Sequence, residues 1–442
     1  MAGHAVRAPT VPTAPTVMRT LAEHRAAALA LGAPLPTEEV GLDDALGRVL
    51  AQDVRTADAL PRWANSAMDG YAVHQADLVG ASAEHPVTLW VVADLPAGTS
   101  ADPRIDRGTA ARIMTGAPVP SGADAIVPVE HTDGGTISVT VRVEPAPGAH
   151  VRGAGEDAAA GDLVVPAGTL LGPAHVSACA SVGQARLVVH RRPRVAVVST
   201  GDELVAPGEP LARGQLPDSN SWLLAAAVRE AGADAVRIGP VGDDPADLRA
   251  LLDALDAGTY PQAGPVDAII TSGGVSVGAY DVVKAALLDE PDVAFVPVAV
   301  QPGKPQGLGR LVHGTPVFAL PGNPVSSFVS FELFVRPALR RLQGATEVER
   351  PTVVATVDDA WRTPPGRTQI MPVRVVAPAD DLGLDTAVDP ATNPRPTVRR
   401  ATPGGSGSHL VARLALADGL AVVPVDVTAV ERGDLLTVLR LR

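Results

Sequence analysis

The segment Val266-Asp267-Ala268-Ile269-Ile270-Thr271-Ser272-Gly273-Gly274, which runs on through Ser276 and Gly278 to Asp281, limits the fold most tightly. A short apolar run breaks into Ser-Gly-Gly and then into a stretch of helical character. That order describes a buried parallel strand delivering a glycine-rich turn to a helix start. Glycines without Cβ let a ligand approach the backbone, and the free N–H groups at a helix start attract anions. The layout recurs where Arg194-Val195-Ala196-Val197-Val198-Ser199 runs into Thr200-Gly201-Asp202-Glu203. Two strand ends carrying glycine, hydroxyl and carboxylate side by side point to a phosphate and metal site on an α/β sheet.

The surrounding pattern supplies that sheet. Strands are expected at 194–199, 235–241, 266–271 and 316–320, with further β segments at 293–300 and 308–312. Helices are expected at 221–231, 245–256, 279–289 and 324–342. Val/Ile strands spaced by helices imply a parallel sheet covered on both faces, with ligands at the carboxyl ends where strand order reverses. This α/β domain spans about 193–345 of a 442-residue chain, long enough for roughly three domains.

Upstream, residues 18–31 have helical composition and Gly41 to Leu46 starts a second helix. Short β segments punctuated by Pro and Gly then fill 58–150, which reads as an inserted β domain. Mixed character returns over 151–192, with a helix near 173–182, so 17–57 and 151–192 form one discontinuous linker domain. Residues 346–442, with strands at 410–414 and 420–425, read as a C-terminal β-barrel, and the first 16 residues as a disordered tail. The fold class is thus multidomain α/β plus β.

Composition excludes several functions. A formal net charge of −13 argues against a nucleic-acid partner. Cys179 is the single cysteine, so there is no internal disulfide and no cysteine metal cluster, as in a reducing cytoplasm. No apolar run approaches the ~18 residues of a membrane span. The histidines lack zinc-ligand spacing, and neither a Ser-His-Asp order, a nucleophile elbow, Walker A nor Gly-x-Gly-x-x-Gly occurs.

Several residues carry the expected chemistry. Glu203 at the first strand tip suits an oxygen-loving ion such as Mg²⁺. Asp243 and Asp244 follow the second strand, Asp244 beside Pro245 being a natural N-cap. Asp281 follows the Ser-Gly-Gly turn, so three acids trail three successive strands. Lys304, between Gly303 and Pro305, is either a phosphate contact or a surface turn. Pro321-Gly322-Asn323-Pro324-Val325-Ser326 is explained equally by a capped helix start and by a bound phosphate. Asp69-Gly70 carries a hairpin signal, and Met114 to Pro118 is ambiguous.

These pieces in this order resemble the molybdopterin molybdenumtransferase family, which includes bacterial MoeA and the C-terminal domain of gephyrin. The resemblance rests on Asn65 to Ala72, Arg112 to Pro120 with Gly122 to Ala125, Gly155-Glu156-Asp157, Ser199 to Glu203, and Asp218-Ser219-Asn220. It continues through Thr271 to Asp281, Pro302 to Pro305 and Pro321 to Ser326, and covers about residues 18–442. It implies an elongated four-part subunit and a homodimer, with a cleft between the α/β domain of one chain and the inserted β domain of the other. It implies that molybdenum from molybdate enters the dithiolene of adenylylated molybdopterin as AMP leaves. Glu203, Asp243 and Asp281 would hold or orient Mg²⁺ and the molybdate end, and Asp69, Thr115 and Asp157 would join Glu203 and Asp243 in catalysis. Thr200, Gly201, Asp218, Asn220, Ser272, Gly273, Gly274, Ser276, Gly278, Lys304, Pro321, Gly322, Asn323 and Ser326 would bind the cofactor substrate.

Two departures from the family matter. Lysines are common ahead of Pro-Gly-Lys, where this chain has Val296 to Gln301, and consecutive arginines ahead of Gly-Glu-Asp, where it has Arg152-Gly153-Ala154. Anion binding is then weaker unless Arg367, Arg399 or Arg400 compensates. Rival readings are an ATP-using molybdopterin adenylyltransferase and a non-catalytic cofactor carrier or scaffold. A molybdopterin adenylyltransferase and molybdoenzyme maturation factors are further expected partners.

Overall fold

The computed structural model describes residues 18–275, 281–377, 395–402, 406–408 and 410–441. The expected tail over 1–16, and Ser276 and Gly278, lie outside these residues.

The α/β domain contains β1 (Arg194–Thr200), α1 (Asn220–Glu230), β2 (Asp234–Val241), α2 (Pro245–Asp256), β3 (Ala268–Ser272) and α3 (Val282–Ala286). It continues with β4 (Val293–Pro297), β5 (Pro305–Arg310), β6 (Pro316–Leu320), α4 (Pro324–Ser330) and α5 (Arg336–Leu342). The sheet order is β2-β1-β3-β6-β5-β4. Side chains alternate across a strand, so Val195, Val197, Ile270 and Phe318 pack with Leu224 and Val228 of α1. Ala196, Val198, Ile269 and Val317 pack on the other face with Leu248 and Leu252 of α2 and Val283 of α3. Both faces are covered, which is why these strands read as continuous apolar runs.

Two expectations need correction here. The sheet is parallel across β2, β1, β3 and β6, but β5 runs antiparallel to both β6 and β4. Only residues 311–315 separate β5 from β6, too few for a crossover helix, so the chain must reverse. The expected helix over 324–342 is broken by a π-helical stretch, Phe331–Val335, between α4 and α5. Pro337 lacks an N–H and its ring crowds the carbonyl four residues back, and a widened turn just before it relieves that conflict.

Within this buried stretch, Glu332 accepts from Arg350 Nε at 2.8 Å and Nη2 at 3.0 Å. Removing Glu332 leaves the buried Arg350 only the exposed Glu230, and Arg336 no paired carboxylate among the described residues. Glu332→Ala is therefore expected to lower unfolding free energy by about 3–5 kcal/mol, measured by urea denaturation.

The linker is built from both sides of the β insertion: Thr37–Gly41 pairs with Arg186–His190, and Val54–Arg55 with Leu163–Val165. The helix expected from Gly41 to Leu46 is only a single 3₁₀ turn, Leu42–Asp44. Between these pieces lies a five-stranded sheet in the order 125–128, 70–73, 109–113, 87–95, 138–141. Asp69-Gly70 forms no hairpin there. Gly70 instead begins a central strand, paired on one side with Thr109–Ile113 and on the other with Ala125–Pro128.

At the C-terminus, Thr368–Ala377 pairs with both Thr397–Arg400 and Gly419–Val423, which closes a five-stranded barrel. Val300–Gln301 of the α/β domain runs alongside Thr368 and Gln369 and fastens the loop carrying Lys304 to that barrel. The strand expected at 410–414 is a short helix, Val411–Leu414. Five apolar-rich residues are too few for periodicity to separate the two states. No helix among the described residues is long and apolar enough to cross a membrane.

Candidate active site at the carboxyl ends of the sheet

Because α1 returns the chain to one side of β1 while β3 lies on the other, the strand order reverses at the carboxyl ends of β1 and β3. Such switch points open a crevice. A cleft of about 980 Å³ lies there, lined by Thr200, Gly201, Glu203, Asp218, Asn220, Asp243, Ser272, Gly273, Gly274, Asp281, Pro321, Gly322, Asn323 and Ser326, among others. The expected acids from three strand tips therefore share one cleft.

Close backbone packing shapes its floor. Gly273 has φ +110°, and a Cβ there would sit 2.8 Å from Thr200 Oγ1 and 3.0 Å from Thr200 O. Only glycine lets the two strand-tip turns approach this closely. Glu203 folds back over Gly201, where a Cβ would come within 2.5 Å of Glu203 Oε2.

Asn220 ties three turns together. Its Nδ2 donates to Ser272 Oγ at 2.8 Å and to Gly322 O at 2.6 Å, while its buried Oδ1 has no partner among the described residues. Asp218, 1% exposed, accepts from Ser199 Oγ at 2.7 Å and Ser221 Oγ at 2.6 Å. It buttresses the start of α1 against β1, and its oxygens are engaged by the protein itself. Ser327 Oγ donates to Pro321 O, securing the last turn. Asn323 occupies the N-cap position of α4 without a side-chain capping bond, whereas Asp244 caps α2 through Ala246 N–H at 2.7 Å.

The acidic loops are coupled. Asp202 N–H donates to Asp243 Oδ2 at 3.4 Å, and Asp243 N–H donates to Asp202 Oδ1 at 3.1 Å. Among the described residues, Asp281 Oδ2 is buried without a hydrogen-bond partner. Yet among the described residues no three His, Cys, Asp or Glu side chains stand close enough to hold a metal ion together.

Lys304 is placed differently. It lines an adjoining cavity of about 520 Å³ with Gly303, Gln369, Ser406 and Ser408, and Ser326 borders both spaces. Of the three arginines considered as compensating cations, Arg367 reaches this loop, donating to Gln301 Oε1 at 2.7 Å. Arg400 is held by Asp359 at 2.7 and 3.1 Å, and Arg399 lies on a barrel strand opposite Arg374.

Asp69, Thr115 and Asp157 lie outside the cleft lining of this chain. Asp69 Oδ1 accepts from both the backbone N–H and the hydroxyl of Thr115, each at 2.7 Å. Those two bonds, the backbone one foremost, hold its carboxyl below the usual aspartate value. Asp157 is exposed, its N–H bound to Leu60 O at 2.9 Å.

Some contributors escaped sequence reasoning. Leu204–Val205 pairs in parallel with Leu216–Pro217, and Leu204, Leu216 and Pro217 form an apolar wall of the cleft. Val411 of the C-terminal domain also borders it. Asp202 steadies Asp243 from outside. Glycine and proline in 206–210 mark a turn, but nothing in that pattern says the loop folds over a ligand site.

Comparison with known proteins now adds the family. Residues 19–183 match the model for the MoeA N-terminal region (domain I and II), 196–341 a probable molybdopterin binding domain, and 392–441 the MoeA C-terminal region (domain IV). Molybdopterin molybdenumtransferase 2 of Mycobacterium tuberculosis is 44% identical over 429 residues, covering 95% of this chain and 99% of that protein. Molybdopterin molybdenumtransferase 1 of the same organism is 35% identical, covering 95% and 98%. The molybdopterin biosynthesis MoeA protein of Pyrococcus horikoshii matches in structure with a TM-score of 0.76 at 29% identity, covering 96% of this chain and 100% of that one. With relatives this similar over nearly their whole length, the chain belongs to the molybdopterin molybdenumtransferase family.

Proposed function

We propose that this chain, a transferase of molybdenum cofactor biosynthesis, moves molybdenum from molybdate into the dithiolene of adenylylated molybdopterin and releases AMP. The strand-tip cleft holds the adenylyl pyrophosphate together with Mg²⁺. The observation that carries this reading is the charge of the cleft: Glu203, Asp218, Asp243 and Asp281 line it, and among the described residues no lysine or arginine does. An anionic pyrophosphate enters such a space only with a cation.

The residues suit Mg²⁺. This ion is usually held by one or two carboxylates and completed by substrate phosphates and water, so a preassembled three-acid cage is not required. Glu203 and Asp243 would hold it, with the unpartnered Asp281 oxygen facing the same demand. When bound, the ion supplies charge neutralisation and polarisation of the pyrophosphate. The chain does the rest. Backbone N–H groups of the turns after β3 and β6 bind phosphate oxygens, and Asn220 holds those turns in place through Ser272 and Gly322. Lys304, in the adjoining cavity, holds the oxyanion end, and Arg367 steadies the loop beside it through Gln301. Asp69, Thr115 and Asp157 come from a second copy of the chain, so the active form is a cytoplasmic homodimer.

Purified protein incubated with adenylylated molybdopterin, molybdate and Mg²⁺ should release AMP. No AMP, beside a competent control enzyme, would reject the proposal, and ATP consumption with molybdopterin would instead indicate an adenylyltransferase. Lys304→Ala, which removes a point charge from the oxyanion end, should raise KM roughly tenfold or more with a weaker salt dependence, read from initial rates across ionic strength.

A further inference from the structure

At the opposite end of the sheet, where β1 and β2 begin, a cavity of about 510 Å³ lies between α5 and the linker residues Gly47 and Leu170. Arg192, Arg229, Arg336 and Arg340 line it, against the carboxylates of Glu230 and Asp234. Glu230 is already engaged, its Oε1 accepting from Arg350 Nη2 at 2.8 Å. None of these residues borders the strand-tip cleft.

Two of the four arginines stand in costly surroundings. Arg340 is 5% exposed, donates to Gln343 Oε1 at 3.3 Å, and has no ion-pair partner among the described residues. Arg336 Nε is buried without a hydrogen bond among the described residues; Glu332 Oε2 is 3.8 Å away and bound to Arg350 at 2.8 Å. The pair sits one helical turn apart on α5, where like charges repel. Burial, reinforced by Arg336, pulls the Arg340 guanidinium down to about 10. Burial and the nearby Arg350 also lower Arg336. Unpaired buried charge destabilises a fold unless something completes it.

We propose that this cavity is a second anion site that binds a phosphoryl dianion, with Arg340 at its buried wall, the partly buried Arg336 beside it, and Arg192 and Arg229 at its exposed rim. Planar guanidinium forks match phosphate oxygens two at a time. The volume falls within the range of roughly 300–1,000 Å³ usual for small-molecule sites, so an organic phosphate monoester fits as well as free phosphate. Occupancy joins the linker to α1 and α5, and so stabilises the domain junction.

The test uses the full chain, with thermal unfolding and calorimetric titration against inorganic phosphate and ribose 5-phosphate. Both arms avoid molybdopterin, so their outcome is independent of the reaction proposed above. Either ligand should raise the Tm of the wild type and of Lys304→Ala, while Arg340→Met should bind at least about tenfold more weakly. Arg340→Met should itself melt no lower than ligand-free wild type, since a buried unpaired charge is gone. Arg336→Gln gives the same reading should the first variant fold poorly. Binding of ribose 5-phosphate assigns a phosphate monoester, and binding of inorganic phosphate alone assigns the free ion. No stabilisation of the wild type by either ligand overturns the proposal, as does undiminished binding by both arginine variants or loss of binding in Lys304→Ala.

Discussion

Glu203→Gln is expected to release AMP at least about 100-fold more slowly than the wild type, with the fold and the melting temperature little changed. Glutamine keeps the size of the side chain and its position over Gly201 but removes the negative charge a divalent ion requires. Even outer-shell partners of metal ligands change metal affinity by about 10–100-fold, so a direct ligand should reach at least the top of that range. Raising Mg²⁺ should recover part of the rate, because the defect is in holding the ion. Initial rates across a Mg²⁺ series check this. A variant with wild-type activity at low Mg²⁺ would remove Glu203 from the ion's surroundings.

A larger effect is expected from mixing two dead enzymes. Glu203→Gln and Asp69→Asn should each be nearly inactive as pure dimers if, as proposed, the cleft takes Glu203 from one chain and Asp69 from the other. Co-expressed, they form heterodimers in which one cleft carries both substitutions and the other carries neither. With random pairing, half the dimers are mixed and each has one intact site, so activity should return to about a quarter of wild type. Tagging each chain differently and purifying on both tags should raise this to about half. No recovery in the doubly purified heterodimer would show that Asp69 and Glu203 serve the same subunit's site, or that Asp69 has no part in the chemistry.

The core of the site was legible because short-range chemistry dictates it. A Val/Ile strand ending in Ser272-Gly273-Gly274 can do little else than turn tightly beside another strand tip, and Thr200 lies 3 Å from where a Gly273 side chain would begin. The same reasoning placed Asp243 and Asp281 at the same edge as Glu203. Long-range geometry was not legible. Whether Lys304 faces the main cleft or the neighbouring cavity depends on Val300–Gln301 joining a barrel strand more than sixty residues later. Asp218 has the composition of a ligand contact, but its oxygens are engaged by Ser199 and Ser221 once β1 and α1 meet. The reversal at β5 follows from loop length and was readable in principle. The π-helical stretch before Pro337 required knowing that the helix could not end there, because Phe331 and Phe334 anchor it in the core.

The most direct test is a crystal structure with adenylylated molybdopterin and Mn²⁺ in place of Mg²⁺, located by anomalous scattering. A Mn²⁺ peak between the pyrophosphate and the carboxylates of Glu203 and Asp243, with the nucleotide along the turns after β1 and β3, is the expected result. A nucleotide seated elsewhere, or a Mn²⁺ peak with neither carboxylate in contact, would contradict the assignment of this cleft.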